Sequence, residues 1–405
     1  MLVTNKKYTD EAKAIATKVT ELNRERHAKW LVNMKYVLDQ SDVDATLSRQ
    51  ADFCESVIFN EKERVTDNQR LLLECESERV KERRKEQADR QNLYKFVVDD
   101  VGKYAEKLFL ERLQNSDSYQ LFNRFPDLSH FISIAYSPSL NFSKLATLTT
   151  NDKQLNDNVI ALVNNPRFCS RLGKSSREIV DIKMAIGTLG IDNSRLLMPI
   201  LMAKPLLKWH DNVTKSIAPK LWQHTILTAN VSRLRMQQAG IKKPEQGIML
   251  GILRTIGHFA IVNHFPQIFE DALIERMQHY RNNNMREEYY ACAEVKPIMS
   301  VLPKAILKLE KTITRNIINE LEWEPANIHL KLALEQDLDD LPILERNEHS
   351  IALAQAKTYS MFDGLDRSGV FVDKHKPFWF ANVQMPPSAL MEVRNSNPGK
   401  VELIK

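Results

Sequence analysis

The most constraining stretch of the chain runs from about 245 to 265. It carries Ile248, Met249, Leu250, Ile252, Leu253, Ile256, Phe259, Ala260, Ile261 and Val262. At about 100° per residue these side chains surround a helix completely and leave no face for water. Such a helix belongs at the centre of a bundle, with amphipathic neighbours around it. The preceding segment fits that arrangement: in 221–239 the residues Leu227, Val231 and Leu234 fall at i, i+4 and i+7. Gly240 stands where a left-handed C-terminal cap is expected, and Pro244 and Glu245 open the first turn of the next helix.

The remainder of the sequence points the same way. The 405 residues hold 11 Gly against 16 Pro, and helices avoid glycine where barrels and nucleotide loops consume it. Between 123 and 365, helical segments are separated by short breakers such as "YSPSLN", "NNPRF", "AGIKKPEQG" and "WEPAN", and nothing alternates with a strand period. The expected class is all-α. Residues 1–122 are charged and lack Pro, and read as an N-terminal helical segment, a hairpin or coiled coil. Leu71, Leu72, Leu73, Val80 and Ala88 do not hold a clean heptad, so a solvated helix face is the simpler reading and self-association the sharper one. The texture changes at "NRFPDLSHF", which places a boundary near 120–126. Residues 366–405 contain Pro377, Pro386, Pro387 and Pro398; they read as a short irregular tail with room for a strand, packed through Phe378, Trp379 and Phe380.

Several function classes find no support. The net charge of +5 is spread among mixed signs, and "RRK" at 83–85 is balanced by glutamates, so nothing argues for nucleic acid. Cys54, Cys75, Cys169 and Cys292 lie far apart without a CxxC pair, which suits a reduced chain. The N-terminus lacks a signal-peptide core, and runs such as "LLMPILMA" are shorter than the 18 or more residues a membrane span needs, so a cytoplasmic location is expected. No serine elbow, Walker loop or dinucleotide fingerprint appears, and no cofactor is expected. Neither Cys169 nor Cys292 has a partner base nearby in sequence.

His210, His224, His258 and His264 fall on successive apolar segments. A metal hydrolase needs three or more converging nitrogen and oxygen ligands, carboxylates among them, yet 248–262 contains no carboxylate. Each histidine therefore reads as a hydrogen-bonded core or surface residue. Arg254 in the same helix needs a counter-charge, because an unpaired buried charge is costly. Glu245 and Glu335 are candidate partners, and an anionic ligand is the alternative.

Taken in order, a set of segments resembles the bacterial HDOD domain. They are "FPDLSHFISIAYSPSLNFSKLATLTTNDKQLNDNVIALVNNPRF", "REIVDIKMAIGTLGIDNSRLLMPILMA", "LWQHTILTANVSRLRMQQAG", "GIMLGILRTIGHFAI", "INELEWEPANIHLKLALEQ" and "NEHSIALAQAKTYSMFDG". The resemblance covers 123–365 and implies an HD-like multi-helix bundle, a degenerate relative of the metal-dependent HD phosphohydrolases. Carried over residue by residue, it puts the first ligand histidine at His224 and the His-Asp pair at Arg254 and Thr255. The later single histidine falls near Thr312 and the paired histidines near Glu335 and Gln336, while His258 lies outside the ligand set. It implies no catalytic residue and no metal. The expected role is non-enzymatic bacterial signalling through protein partners, with His224, Arg254 and His258 available to a small anionic ligand. The competing expectation is a metal-dependent phosphohydrolase acting on a nucleotide or phosphodiester.

Overall fold

The computed structural model describes residues 2–4, 8–38, 74–175 and 178–404, and among these there are helices but no strands. The N-terminal part contributes α1 (Asp10–Val32), α2 (Glu74–Leu113) and α3 (Ser118–Leu121). Six helices follow: α4 (Leu128–Ala135), α5 (Phe142–Asn151), α6 (Lys153–Val163), α7 (Pro166–Arg171), α8 (Ile182–Leu189) and α9 (Ile191–Ala203). The long core helices are α10 (Ala218–Gln238) and α11 (Gln246–Asn282), followed by α12 (Arg286–Ala293), α13 (Val301–Glu320), α14 (Ile328–Leu338) and α15 (Glu348–Arg367). Two further helices, α16 (Lys376–Asn382) and α17 (Pro387–Asn395), end the described secondary structure.

The unbroken apolar surface of α11 is enclosed by α2, α9, α10, α13 and α15. Every residue from Gln246 to Asn263 is buried. The helix runs 37 residues, well past 265, because Phe265, Ile268, Phe269 and Ala272 keep packing and offset the hydrogen bond that Pro266 cannot donate. It is long and apolar enough to cross a membrane, and 94% of its most apolar window lies inside the bundle. The crossing with α10 is close: a Cβ on Gly251 would lie 2.3 Å from the Ala229 Cα. On α10, Leu227, Val231 and Leu234 are all buried, and Gly240 adopts φ +72° as the cap geometry requires.

Two expectations change. Residues 1–122 do not stand apart, because α1 packs on α13, α15 and α16, and α2 packs on α11, α12 and α13. Val97, Val101, Ala105 and Phe109 of α2 share one core with Phe259 and Phe265 of α11. Leu71, Leu72 and Leu73 lie outside the described residues, while residues 81–90 of α2 are exposed. In the tail expected at 366–405, the described residues beyond Arg367 form α16 and α17 with no strand, anchored by buried Trp379 and Phe380 and half-buried Phe378. Pro377 and Pro387 sit in the first turns of these helices, where proline's fixed φ and missing donor are tolerated.

Candidate functional site

The centre of the bundle holds a charged network built on Arg254, which is 2% exposed. Its Nε donates to Asp337 Oδ2 of α14 at 2.5 Å. Its Nη1 and Nη2 donate to the Glu310 carboxylate of α13 at 2.6 and 3.3 Å. Asp337 also accepts from Arg346 Nη1 at 2.9 Å and from Lys357 Nζ of α15 at 2.6 Å. Next to this group, Asp340 takes a two-pronged contact from Arg24 of α1 at 2.7 and 3.0 Å and a bond from Lys311.

Charge state follows from these distances. Burial alone would lower the Arg254 pKa, but the Glu310 and Asp337 carboxylates more than reverse it and fix the guanidinium as a cation. Burial works against ionising Glu310, yet Arg254 brings it down to about 2. Asp337 is likewise opposed by burial and held well below the usual carboxylate range by Lys357, Arg254 and Arg346. Burial pushes Lys357 down to about 7 against the pull of Asp337. With Lys357 charged, three cations face two carboxylates; with it neutral, two face two. Neither state leaves a carboxylate free.

Beside the network lie three buried histidines from three helices. The His27 ring of α1 and the His224 ring of α10 have centroids 4.6 Å apart, and His224 and His258 of α11 have centroids 5.9 Å apart. The Ser360 hydroxyl donates to the His224 carbonyl at 3.0 Å, so its oxygen takes the proton on His224 Nδ1 at 2.8 Å. That assigns Nε2 of His224 as an acceptor, and neither it nor His27 Nε2 has a hydrogen-bond partner among the described residues. His258 Nδ1 likewise has no hydrogen-bond partner among the described residues. Burial lowers all three pKa values, His27 to about 3, so the rings are neutral at pH 7.

The expected site residues divide into two groups. His224, Arg254 and His258 come together at this centre. The Thr255 hydroxyl, one residue on, is turned back onto the Gly251 and Ile252 carbonyls of its own helix, both at 3.1 Å. Thr312 is half-buried and stands two residues beyond Glu310, roughly 200° around α13. Glu335 faces Lys331 at 3.7 Å, and Gln336 accepts from the Asn347 N–H at 2.9 Å. The expected partners of Arg254 are also corrected. Glu245 lies nine residues earlier on the helix, roughly 13 Å along its axis, and faces Arg195 instead. His210 is exposed, and His264 Nε2 bonds the Leu121 carbonyl at 2.9 Å.

Sequence reasoning missed His27, Glu310, Asp337, Arg346 and Lys357. Asp337 was accessible in principle: it stands four residues after Ala333 and three after Leu334, on the buried stripe of α14. Glu310 similarly lies four residues after Ile306 and three before Ile313. Those spacings place each acid on the core side. His27 gave no such signal, because its helix belonged to a segment set apart on composition.

Among the described residues no three His, Cys, Asp or Glu side chains are grouped as a metal ion would require. A divalent ion here would face the Arg254 guanidinium across carboxylates already committed to cations, so the residues do not fit the HD-type metal centre.

Comparison with known proteins bears on the bundle that holds this centre. No curated protein matches the chain. Similar solved structures include a protein from Shewanella amazonensis SB2B assigned provisionally as a phosphohydrolase, with 14% identity and TM-score 0.42, covering 72% of this chain and 95% of that one. A second protein from that organism, provisionally a metal-dependent phosphohydrolase, is 11% identical with TM-score 0.37, over 71% of this chain and 99% of that one. An HDOD domain protein of unknown function from Geobacter sulfurreducens is 18% identical with TM-score 0.30, over 73% and 97%. The HDOD domain family matches residues 124–295, which include His224, Arg254, Thr255 and His258. Residues 124–295 of the chain form an HDOD domain.

Proposed function

We propose that this chain is a non-enzymatic signalling protein whose HDOD domain acts by binding protein partners. The observation that carries this reading is the position of Arg254. A permanent cation, 2.5 Å from Asp337 and 2.6 Å from Glu310, occupies the place where the family resemblance puts a ligand histidine. Hydrolysis of a phosphodiester by the HD route needs a divalent ion held by several free ligands. Of that ligand set His224 remains, with Ser360 on its Nδ1. The same contacts argue against Arg254 as an anion receptor, because Glu310 and Asp337 engage all three of its nitrogens.

The reading is tested on the purified full chain by elemental analysis and by turnover of bis(p-nitrophenyl) phosphate with Mn²⁺. The expected result is neither stoichiometric metal nor turnover. Bound transition metal that disappears in His224→Ala, accompanied by turnover, would establish the phosphohydrolase instead.

A further inference from the structure

The segment 398–404 has no regular secondary structure, yet side chains of the HDOD domain grip its main chain. Asn193 of α9 donates from Nδ2 to the Ile404 carbonyl at 2.8 Å and accepts the Ile404 N–H on Oδ1 at 2.8 Å. Asn230 of α10 donates to the carbonyls of Pro398 and Lys400 at 2.9 and 3.1 Å. Arg171, ending α7, donates to the Val401 carbonyl at 2.7 Å. These side-chain contacts read peptide groups rather than the segment's side chains.

Side-chain selection comes from two further features. Val401 is buried in a small apolar cluster with Leu196, Ala229, Ile248 and Ile252, and half-buried Leu403 packs on the main core. Residues 402 and 404 are exposed between and beyond them, which is the alternation of an extended chain. Burial lowers the Arg233 pKa, and the nearby Glu402 charge opposes that shift. The Nη2 of that buried guanidinium has no hydrogen-bond partner among the described residues. A turn enters the groove: Asn397 adopts φ +50°, and its carbonyl accepts the Lys400 N–H at 3.0 Å.

We propose that this groove is a peptide-docking site of the HDOD domain. Its partner is an extended segment of another protein with an acidic residue between two aliphatic ones, and residues 398–404 hold the groove closed until that segment displaces them. Every groove residue named lies between 171 and 252, within the matched domain. The groove is separate from the Arg254 network: Ile252 is two residues from Arg254 and so roughly 200° around α11. Its test therefore does not depend on whether the network has chemistry.

The probe is a fluorescent peptide carrying residues 397–404, followed by anisotropy against the full chain. The double variant Val401→Asp/Leu403→Asp should release the resident segment. While its helical circular dichroism stays native, it should bind the probe at least tenfold tighter than the unmodified chain. Adding Asn193→Leu should remove that gain, and a Glu402→Lys probe should bind at least threefold more weakly. A folded double variant that binds the probe no better than the unmodified chain overturns the proposal. If the variant loses its helical signal, a protease site inserted after Ser396 and cut after folding replaces it. Uptake of the probe as the cut segment leaves supports the docking site, and absence of uptake overturns it.

Discussion

The guanidinium Nε of Arg254 lies 2.5 Å from Asp337 Oδ2, joining α11 to α14 across 83 residues of chain in a place closed to water. Such a pair is weak ground for claiming net stability, since desolvating both charges offsets much of their attraction. Its energetic signature appears when one partner is removed.

Asp337 accepts from Arg254, Arg346 and Lys357 together, so Asp337→Ala leaves all three basic groups without their shared carboxylate. Urea unfolding should show a loss of about 3–5 kcal/mol. Arg254→Met takes the ion-pair partner from Glu310, but that carboxylate is 14% exposed and can take up a proton while Asp337 keeps two cations, so this variant should cost less. If Arg254→Met proves the more damaging of the two, the network is not organised around Asp337.

The histidine cluster predicts a pH dependence with a definite sign. His27, His224 and His258 all have folded pKa values below the ordinary 6.5, with burial the largest cause. The folded chain therefore binds fewer protons than the unfolded one below pH 6.5. The histidine contribution is fully present above 6.5 and falls as pH drops towards the folded values, by at most about 1.4 kcal/mol per pH unit for each ring. Glu310 and Asp337, both depressed, add a second loss only below about pH 4.5. His27→Phe should make the limb between pH 6.5 and 4.5 shallower and leave the lower limb unchanged. An unaltered slope would mean that His27 titrates normally in the folded protein.

The glycines of α11 and α8 should respond oppositely to alanine. At Gly251 the new Cβ would meet α10 backbone at 2.3 Å, and backbone cannot turn aside as a side chain can. Gly251→Ala should destabilise by about 1–3 kcal/mol or more. Gly187 is exposed within α8 with nothing within 4 Å, so Gly187→Ala should gain about 0.5–1 kcal/mol. Thermal denaturation of the two variants measures both signs.

Much of this architecture was legible because periodicity reports burial directly. The all-round apolar character of 248–262 placed α11 at the centre, and Gly240 marked the end of α10. Two things escaped for different reasons. Composition separates charged from apolar sequence, but α1 is charged on one side and buries Ala28, Trp30 and Leu31 on the other, so its docking was hidden. At the site, the carried-over position near Thr312 missed Glu310 by two residues, and those near Glu335 and Gln336 missed Asp337 by two and one. On a helix two residues is the difference between one face and its opposite.

Docking of α1 gives the last prediction. Trp30 lies over Gly364 of α15, where a Cβ would come within 2.8 Å of the indole Cη2. The indole cannot swing away freely, because its Nε1 donates to Ser368 Oγ at 2.8 Å and the His27 ring packs beside it at a 30° tilt with centroids 5.4 Å apart. Gly364→Ala should therefore loosen α1 as a unit. Amide exchange in 10–32 should accelerate at least tenfold, while the α10–α11 core keeps its protection. The smaller ring of Trp30→Phe makes room for the added methyl, so the double variant should recover slow exchange relative to Gly364→Ala alone. Slow exchange in the single variant would show that α1 is not held through this contact.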